Sequence, residues 1–378
     1  MAATRGARVI VVYGTTGELI KLAPLLRRLE ERGAPATTVC TGQQPEQIPT
    51  MLRDFGLRDP DVWVARGAGG RDLTRPAQIP RWLADVARGA LAARGTLRRA
   101  ARSAPRPLVL VHGDTFTTVL GALIGRLVGA PVAHLEAGLR SGDWRNPFPE
   151  EVNRRITSRI ATIHLAPGAW AAGNLRRARV RGTIVDTGAN TIRDSLEMAA
   201  AATPAVPVPE GTFGLVSMHR FELLNDHAAL RAVLELLRDA SRRVPLLFVD
   251  HPVTVGAVTA AGLDHLFGDG LRRIPRQRYF PFLALLRRST FLVTDSGGSQ
   301  EECAQLGHPC LVHRAVTERQ DGLGGPVVLS GLDLGVLRRF LAGPWTPVPP
   351  PDGAGSPTGR VLRYLEHEGF VRAAAPTP

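Results

Sequence analysis

Short apolar runs alternate with amphipathic stretches along this chain, and that alternation admits few folds. The runs at 8–13, 36–40, 107–112, 131–135 and 183–187 are too short for helices, and each leads towards a helical pattern, which is the signature of parallel strands joined by crossover helices. After the first run, Leu19, Ile20, Ala23, Leu26 and Leu29 share one helical side before Gly33, with Pro24 expected in the early turns, where it costs least. The pattern lapses at 197–210, which is rich in alanine and proline, and resumes with strands expected at 213–218, 246–250, 291–294 and 310–313. The expected layout is an N-terminal domain over 1–196, a linker over 197–210, a C-terminal domain over 211–345, and a proline-rich connector with a terminal helix over 346–378. The fold class is α/β: two Rossmann-like doubly wound domains facing across a cleft, with ligand sites at the carboxyl ends of their strands.

Composition narrows the chemistry. Of 47 basic residues only Lys21 is a lysine, in Gly14-Thr15-Thr16-Gly17-Glu18-Leu19-Ile20-Lys21 after the first run. A glycine-bearing turn that opens a helix suits an anion, and a compact point charge there suits a phosphate; the alternative is a lysine solvated along its own helix. The net charge of +13 is spread along the chain, the one dense basic segment at 94–106 reads as a solvated helix face, and aromatic residues are too few for a nucleic-acid stacking platform. Cys40, Cys303 and Cys310 have neither disulfide-framework nor zinc-site spacing. The run at 9–13 is too short for a signal-peptide core and no stretch has the length of a membrane span, so a cytoplasmic protein without a membrane partner is expected.

Polar clusters fall where strands give way to helices. Asp114, in His112-Gly113-Asp114-Thr115, reads either as a helix N-cap or as a site acid. Glu136 closes the strand at 131–135. Glu150 and Glu151 occupy the first turn of a helix, with Arg154 on the same face as Glu150, placed to hold a phosphate or tune that acid. Three acids at successive crossovers suit general acid and base work. In the second half His219 ends a strand, and Thr294-Asp295-Ser296-Gly297-Gly298-Ser299 carries a strand into a helix, with Glu302 one turn in, a pattern that wraps a pyrophosphate. His251 and the Arg314 to Arg319 segment are weaker candidates.

These clusters, in this order, resemble the non-hydrolysing UDP-N-acetylglucosamine 2-epimerases. The likeness runs from about residue 8 to residue 319 through GTTGELIKLAP at 14–24, TGQ at 41–43, HGDT at 112–115, HLEAGLRSGD at 134–143, PFPEEVNR at 147–154, MHR at 218–220, TDSGGSQEE at 294–302 and TER at 317–319. It implies two Rossmann-like domains of the kind many sugar-nucleotide glycosyltransferases use (GT-B-like), a homodimer, and no metal or redox cofactor. It implies that Ser296, Gly297, Gly298 and Glu302 hold UDP, that the stretch from Gln277 to Phe282 faces the uracil, that Lys21, Arg154 and His219 surround the diphosphate, and that Asp114, Glu136 and Glu150 are the acids around the sugar. The implied reaction eliminates UDP to a glycal and returns it with C2 inverted. The chain departs from the family pattern at Thr16-Gly17, where Arg-Pro is usual, at Phe221, where an arginine is usual, and at Gln320-Asp321, where Pro-Glu is usual. Regulated members bind a second UDP-sugar through residues that include a Gln-His pair; here it reads Gln43-Gln44. Alternative readings are a glycosyltransferase or glycal-releasing hydrolase on this scaffold, or a non-catalytic nucleotide-sugar sensor.

Overall fold

A computed structural model describes residues 9–103, 106–144, 147–350 and 355–371. The chain divides after Met198 into two compact units, and the tail from 355 returns to the first. In the first unit the order is β1 (Val9–Tyr13), α1 (Thr16–Glu31), β2 (Thr37–Cys40), α2 (Ile48–Asp54), β3 (Val62–Trp63), α3 (Ile79–Ala92), α4 (Arg94–Arg102), β4 (Leu108–His112), α5 (Phe116–Val128), β5 (Val132–Leu135), α6 (Glu150–Ile160), β6 (Ile163–Ala166), α7 (Ala169–Arg177), β7 (Thr183–Asp186) and α8 (Ile192–Met198). The strands form one parallel sheet in the order β3-β2-β1-β4-β5-β6-β7. Strands β1 and β4 are buried along their whole length, as the middle of a sheet covered on both faces requires.

The second unit runs β8 (Gly214–Ser217), α9 (Phe221–Leu224), α10 (His227–Ser241), β9 (Leu246–Asp250), α11 (Pro252–Ala260), β10 (Leu271–Pro275), α12 (Tyr279–Arg288), β11 (Phe291–Thr294), α13 (Gly297–Leu306), β12 (Cys310–Val312), β13 (Val327–Leu329) and α14 (Leu334–Ala342). Its parallel sheet has the order β10-β9-β8-β11-β12-β13. Part of the proline-rich stretch stays with it: Trp345 stacks on Phe291 at 4.5 Å between ring centres, and Val348 N donates to Gly307 O at 2.9 Å. The terminal helix α15 (Pro357–His367) belongs instead to the first unit, where Thr358 N donates to Asp194 Oδ2 at 2.8 Å and Arg28 Nη1 to Ser356 Oγ at 2.7 Å. In each sheet the strand order reverses beside the first strand, between β1 and β4 and between β8 and β11, which opens a crevice at their carboxyl ends.

Pro24 stands at the ninth position of α1, inside the helix rather than in its early turns. A proline there leaves the carbonyl four residues back without its helical N–H. That carbonyl belongs to Ile20, and Ser195 Oγ from α8 donates to it at 2.6 Å, while Thr191 Oγ1 donates to Lys21 O at 2.6 Å. The proline thus becomes a docking point for α8, and it lies beside the lysine. Ser195→Ala should lower stability by about 1–3 kcal/mol in denaturant unfolding, the cost of an unmet buried carbonyl. The loss should shrink in a Pro24→Ala background, where the helix regains its own N–H; equal losses in both backgrounds would contradict this docking.

Candidate active site

The crevice of the first unit is built on close approach. A Cβ at Gly14 would lie 2.0 Å from Thr41 Oγ1 and 2.4 Å from Thr117 Oγ1, so only glycine lets β1 turn into α1 there. Thr15 caps α1, and Glu18 closes the capping box. The Glu18 carboxylate also accepts from Gly14 N at 2.8 Å and, from the cap of α5, Thr115 Oγ1 at 2.6 Å. Burial outweighs those hydrogen bonds and pushes the Glu18 carboxyl up to about 7.

Lys21 is buried, which removes the solvated alternative, and its ammonium is ion-paired with Glu136. Asn190 Nδ2, just before α8, donates to the same Glu136 oxygen, and His112 Nε2 lies 3.7 Å from it. Glu136 holds φ at 66°, a left-handed conformation that glutamate rarely adopts. Such strain persists only where the surroundings enforce it, and it gathers at functional sites. Gly138 makes the enforced turn possible, since a Cβ there would meet Ala171 O at 2.3 Å. His134, beneath the turn, is pushed down to about 3 by burial. It is therefore neutral, and its Nε2–H donates to Gly113 O at 2.7 Å.

Asp114 is not the cap of α5; Thr115 is, with its side chain accepting from Thr118 N. The Asp114 carboxylate is instead ion-paired with Arg154 Nη2, and its carbonyl accepts from Asn153 Nδ2 at 2.9 Å. Arg154 is 2% exposed, and its Nη1 lies 3.1 Å from Glu151 Oε2. Glu150 opens α6 beside Glu151. The expected acids and cations of this unit are therefore interleaved: Lys21 meets Glu136, and Arg154 meets Asp114.

In the second unit the crevice is organised by Asp295, which sequence reasoning quoted in a motif without giving it a role. Its carboxylate is 1% exposed and accepts from His219 N at 2.8 Å and Arg220 N at 2.8 Å, which fixes the turn after β8. The His219 imidazole lies 3.5 Å from Asp295 and 4.6 Å from the ring of His251, whose Nε2 meets Ser217 Oγ at 3.0 Å. Burial, helped by Arg220 and Arg276, holds His219 down to about 4, and His251 is likewise held to about 4. Both are neutral at physiological pH, so His219 offers a hydrogen bond rather than a charge. Ser296 caps α13, whose first residues are Gly297 and Gly298. A Cβ at Gly297 would stand 3.2 Å from Arg319 Nε, and Arg319 is paired with Glu301 at 2.9 Å. Glu302 is buried beside Tyr279, whose hydroxyl is pushed well above its ordinary value by burial and that carboxylate. Gln277 lies between β10 and α12, with Nε2 donating to Pro275 O at 2.6 Å.

Comparison with known proteins decides the family. The model of the UDP-N-acetylglucosamine 2-epimerase family matches residues 27–332. The chain belongs to that family. The UDP-N-acetylglucosamine 2-epimerase of Bacillus subtilis is 32% identical over 338 residues, covering 86% of this chain and 84% of the relative. Among solved structures, the UDP-GlcNAc 2-epimerase of Neisseria meningitidis bound to UDP-GlcNAc superposes with a TM-score of 0.77 at 26% identity, covering 95% of this chain and 99% of that one. The Methanocaldococcus jannaschii UDP-GlcNAc 2-epimerase in complex with UDP-GlcNAc and UDP gives 0.73 at 26% identity, covering 95% and 99%.

Against the family pattern, two of the departures meet. Gln44 Oε1 accepts from Thr16 N at 2.8 Å and from Thr16 Oγ1 at 3.0 Å, so the side chains that replace the usual arginine and histidine bind one another. Glu18 sets a pH dependence. Its folded carboxyl titrates near 7 against 4.5 for a free one, so the fold favours the protonated form and loses stability as pH rises from about 4.5 to about 7. Melting curves across that range should show Glu18→Gln with a flatter decline than the parent; the same slope in both would contradict the assignment.

Proposed function

We propose that this chain interconverts UDP-N-acetylglucosamine and UDP-N-acetylmannosamine, or a close 2-acetamido relative, acting in the cytoplasm as a homodimer. The observation that carries the proposal is the interleaving of Lys21 with Glu136 and of Arg154 with Asp114 at the crevice of the first unit, in a chain of this family. The C2 proton of such a sugar has no neighbouring carbonyl to acidify it. Removing it becomes feasible when the C1–O bond breaks in the same passage: a carboxylate takes the proton, the C2–H bonding pair forms the C1–C2 double bond of a glycal, and UDP leaves with the C1–O pair. UDP then returns to C1 as a proton reaches C2 from the opposite face. There is no net redox change, and the proposal includes no cofactor.

Inversion needs proton donors and acceptors on both faces of C2, so more than one carboxyl group is required, and Asp114, Glu136 and Glu150 are assigned to the sugar. Lys21 and Arg154 hold the Glu136 and Asp114 carboxyl groups in place while adding positive charge where UDP departs. His219, neutral, donates to the diphosphate. The backbone at Ser296, Gly297 and Gly298 opens α13 towards phosphate, Glu302 takes the ribose hydroxyls, and the stretch around Gln277 takes the uracil.

Incubation with UDP-N-acetylglucosamine in D₂O, followed by NMR, tests this reading. Expected is UDP-N-acetylmannosamine carrying deuterium at C2; epimer without C2 exchange would overturn the elimination route, and no epimer from any 2-acetamido UDP-sugar would overturn the activity. Glu136→Gln should reduce kcat by about 10²-fold or more while UDP still binds.

A further inference from the structure

A second feature of the first unit lies outside the crevice. A cavity of about 680 Å³ is bounded by the loop after β5, α6, α7 and the segment that leads into β7, and six arginines line it: Arg140, Arg155, Arg159, Arg177, Arg179 and Arg181. Among the described residues no acid lines it. Two of these guanidinium groups pair with the buried Glu151, whose Oε1 lies 3.2 Å from Arg155 Nε and 3.7 Å from Arg140 Nε. Its other oxygen already holds Arg154. Among the described residues Arg159 and Arg177 reach only neutral groups, Arg155 O at 3.4 Å and the side-chain oxygen of Asn174.

The excess charge is felt inside the cluster. Burial lowers the Arg140 guanidinium below its ordinary value; Glu151 opposes this, and Arg154, Arg155 and Arg159 add to it. The preference of this sequence for arginine over lysine accounts for the residue type, but not for six side chains from four segments converging on one concavity with no carboxylate among its described lining residues. Arg179 adds a sign of purpose. It follows the C-cap of α7 with φ at 48°, a position where glycine or asparagine is usual. Planar forked donors gathered in a cavity match bridging and terminal phosphate oxygens.

We propose that this cavity binds a small oligophosphate anion, and that its occupancy reaches the candidate site through Glu151. An anion that draws Arg140 and Arg155 away leaves Glu151 to Arg154 alone. Arg154 then releases part of its hold on Asp114, and that carboxyl group loses its fixed place in the crevice. The cavity also differs in kind from the nucleotide site, since it is lined by side chains rather than by a glycine-rich helix start.

Calorimetry with tripolyphosphate on the full chain, with UDP in excess to fill the nucleotide site and about 0.15 M salt to screen loose contacts, tests the binding. Expected is one site that UDP does not displace, weakened at least tenfold in the combined variant Arg159→Ser, Arg177→Ser, Arg181→Ser. All three residues are exposed, and the variant should melt as the parent does and bind UDP unchanged. Absence of a UDP-resistant site, equal affinity in the variant, or orthophosphate binding as tightly as tripolyphosphate would each overturn the proposal. The coupling rests on the epimerase reading and is measured separately, as turnover. With the UDP-sugar saturating, tripolyphosphate should lower kcat at least twofold in the parent and not in the variant; an unchanged kcat in the parent would overturn the coupling while leaving the binding result to stand or fall separately.

Discussion

A charge withdrawn from water has to be paired or neutralised, and the first unit is arranged around two ion pairs. Breaking a buried ion pair from one side costs about 3–5 kcal/mol, against about 0–1 kcal/mol for a pair at the surface. Lys21 with Glu136 and Arg154 with Asp114 are therefore commitments of the fold as well as groups available for chemistry. Each joins elements far apart in sequence, α1 to the turn after β5 and α6 to the turn after β4. The buried histidines are neutral instead, because burial outweighs what their neighbours return at His134, His219 and His251.

The neighbouring elements follow from keeping those pairs in place. Pro24 frees a carbonyl one turn before it, Ser195 answers that carbonyl, and α8 is thereby held against α1. That docking brings Asn190, just ahead of α8, onto Glu136. Helix α15 in turn caps the assembly through Asp194. A backbone irregularity in α1, which in isolation would weaken a helix, here sets the position of a side chain that orients a carboxylate. Glu151 does similar work on the other side, holding Arg154 against Asp114 while reaching Arg140 and Arg155 with its second oxygen.

Much of this was legible in the sequence, because parallel buried strands write themselves as apolar runs and their carboxyl ends collect the polar residues. The strands that escaped have physical reasons: β3 is two residues long, β6 carries His164 inside its run, β10 carries Arg272 and Arg273, and β13 is three residues at a sheet edge. The acids and cations of the first unit were visible as residue types at strand ends, but not their pairing, since Lys21 and Glu136 are 115 positions apart and nothing local links them. Asp114 looked like a cap because it precedes a helix, and only the side chain of Thr115, one residue on, shows which of the two does the capping. Asn190 carried a weaker signal, a polar residue shortly after a strand. His251 was visible after β9, yet its place beside His219 depends on sheet order, which short-range pattern does not encode.

If the Lys21–Glu136 pair works as one unit, a double-mutant cycle on turnover reads it most directly. With kcat/KM measured for the parent, Lys21→Met, Glu136→Gln and the double variant, either single change should abolish most of the activity and the double should fall little further, because each single change already disables the partner. Losses that multiply independently would contradict the pairing as the basis of the site.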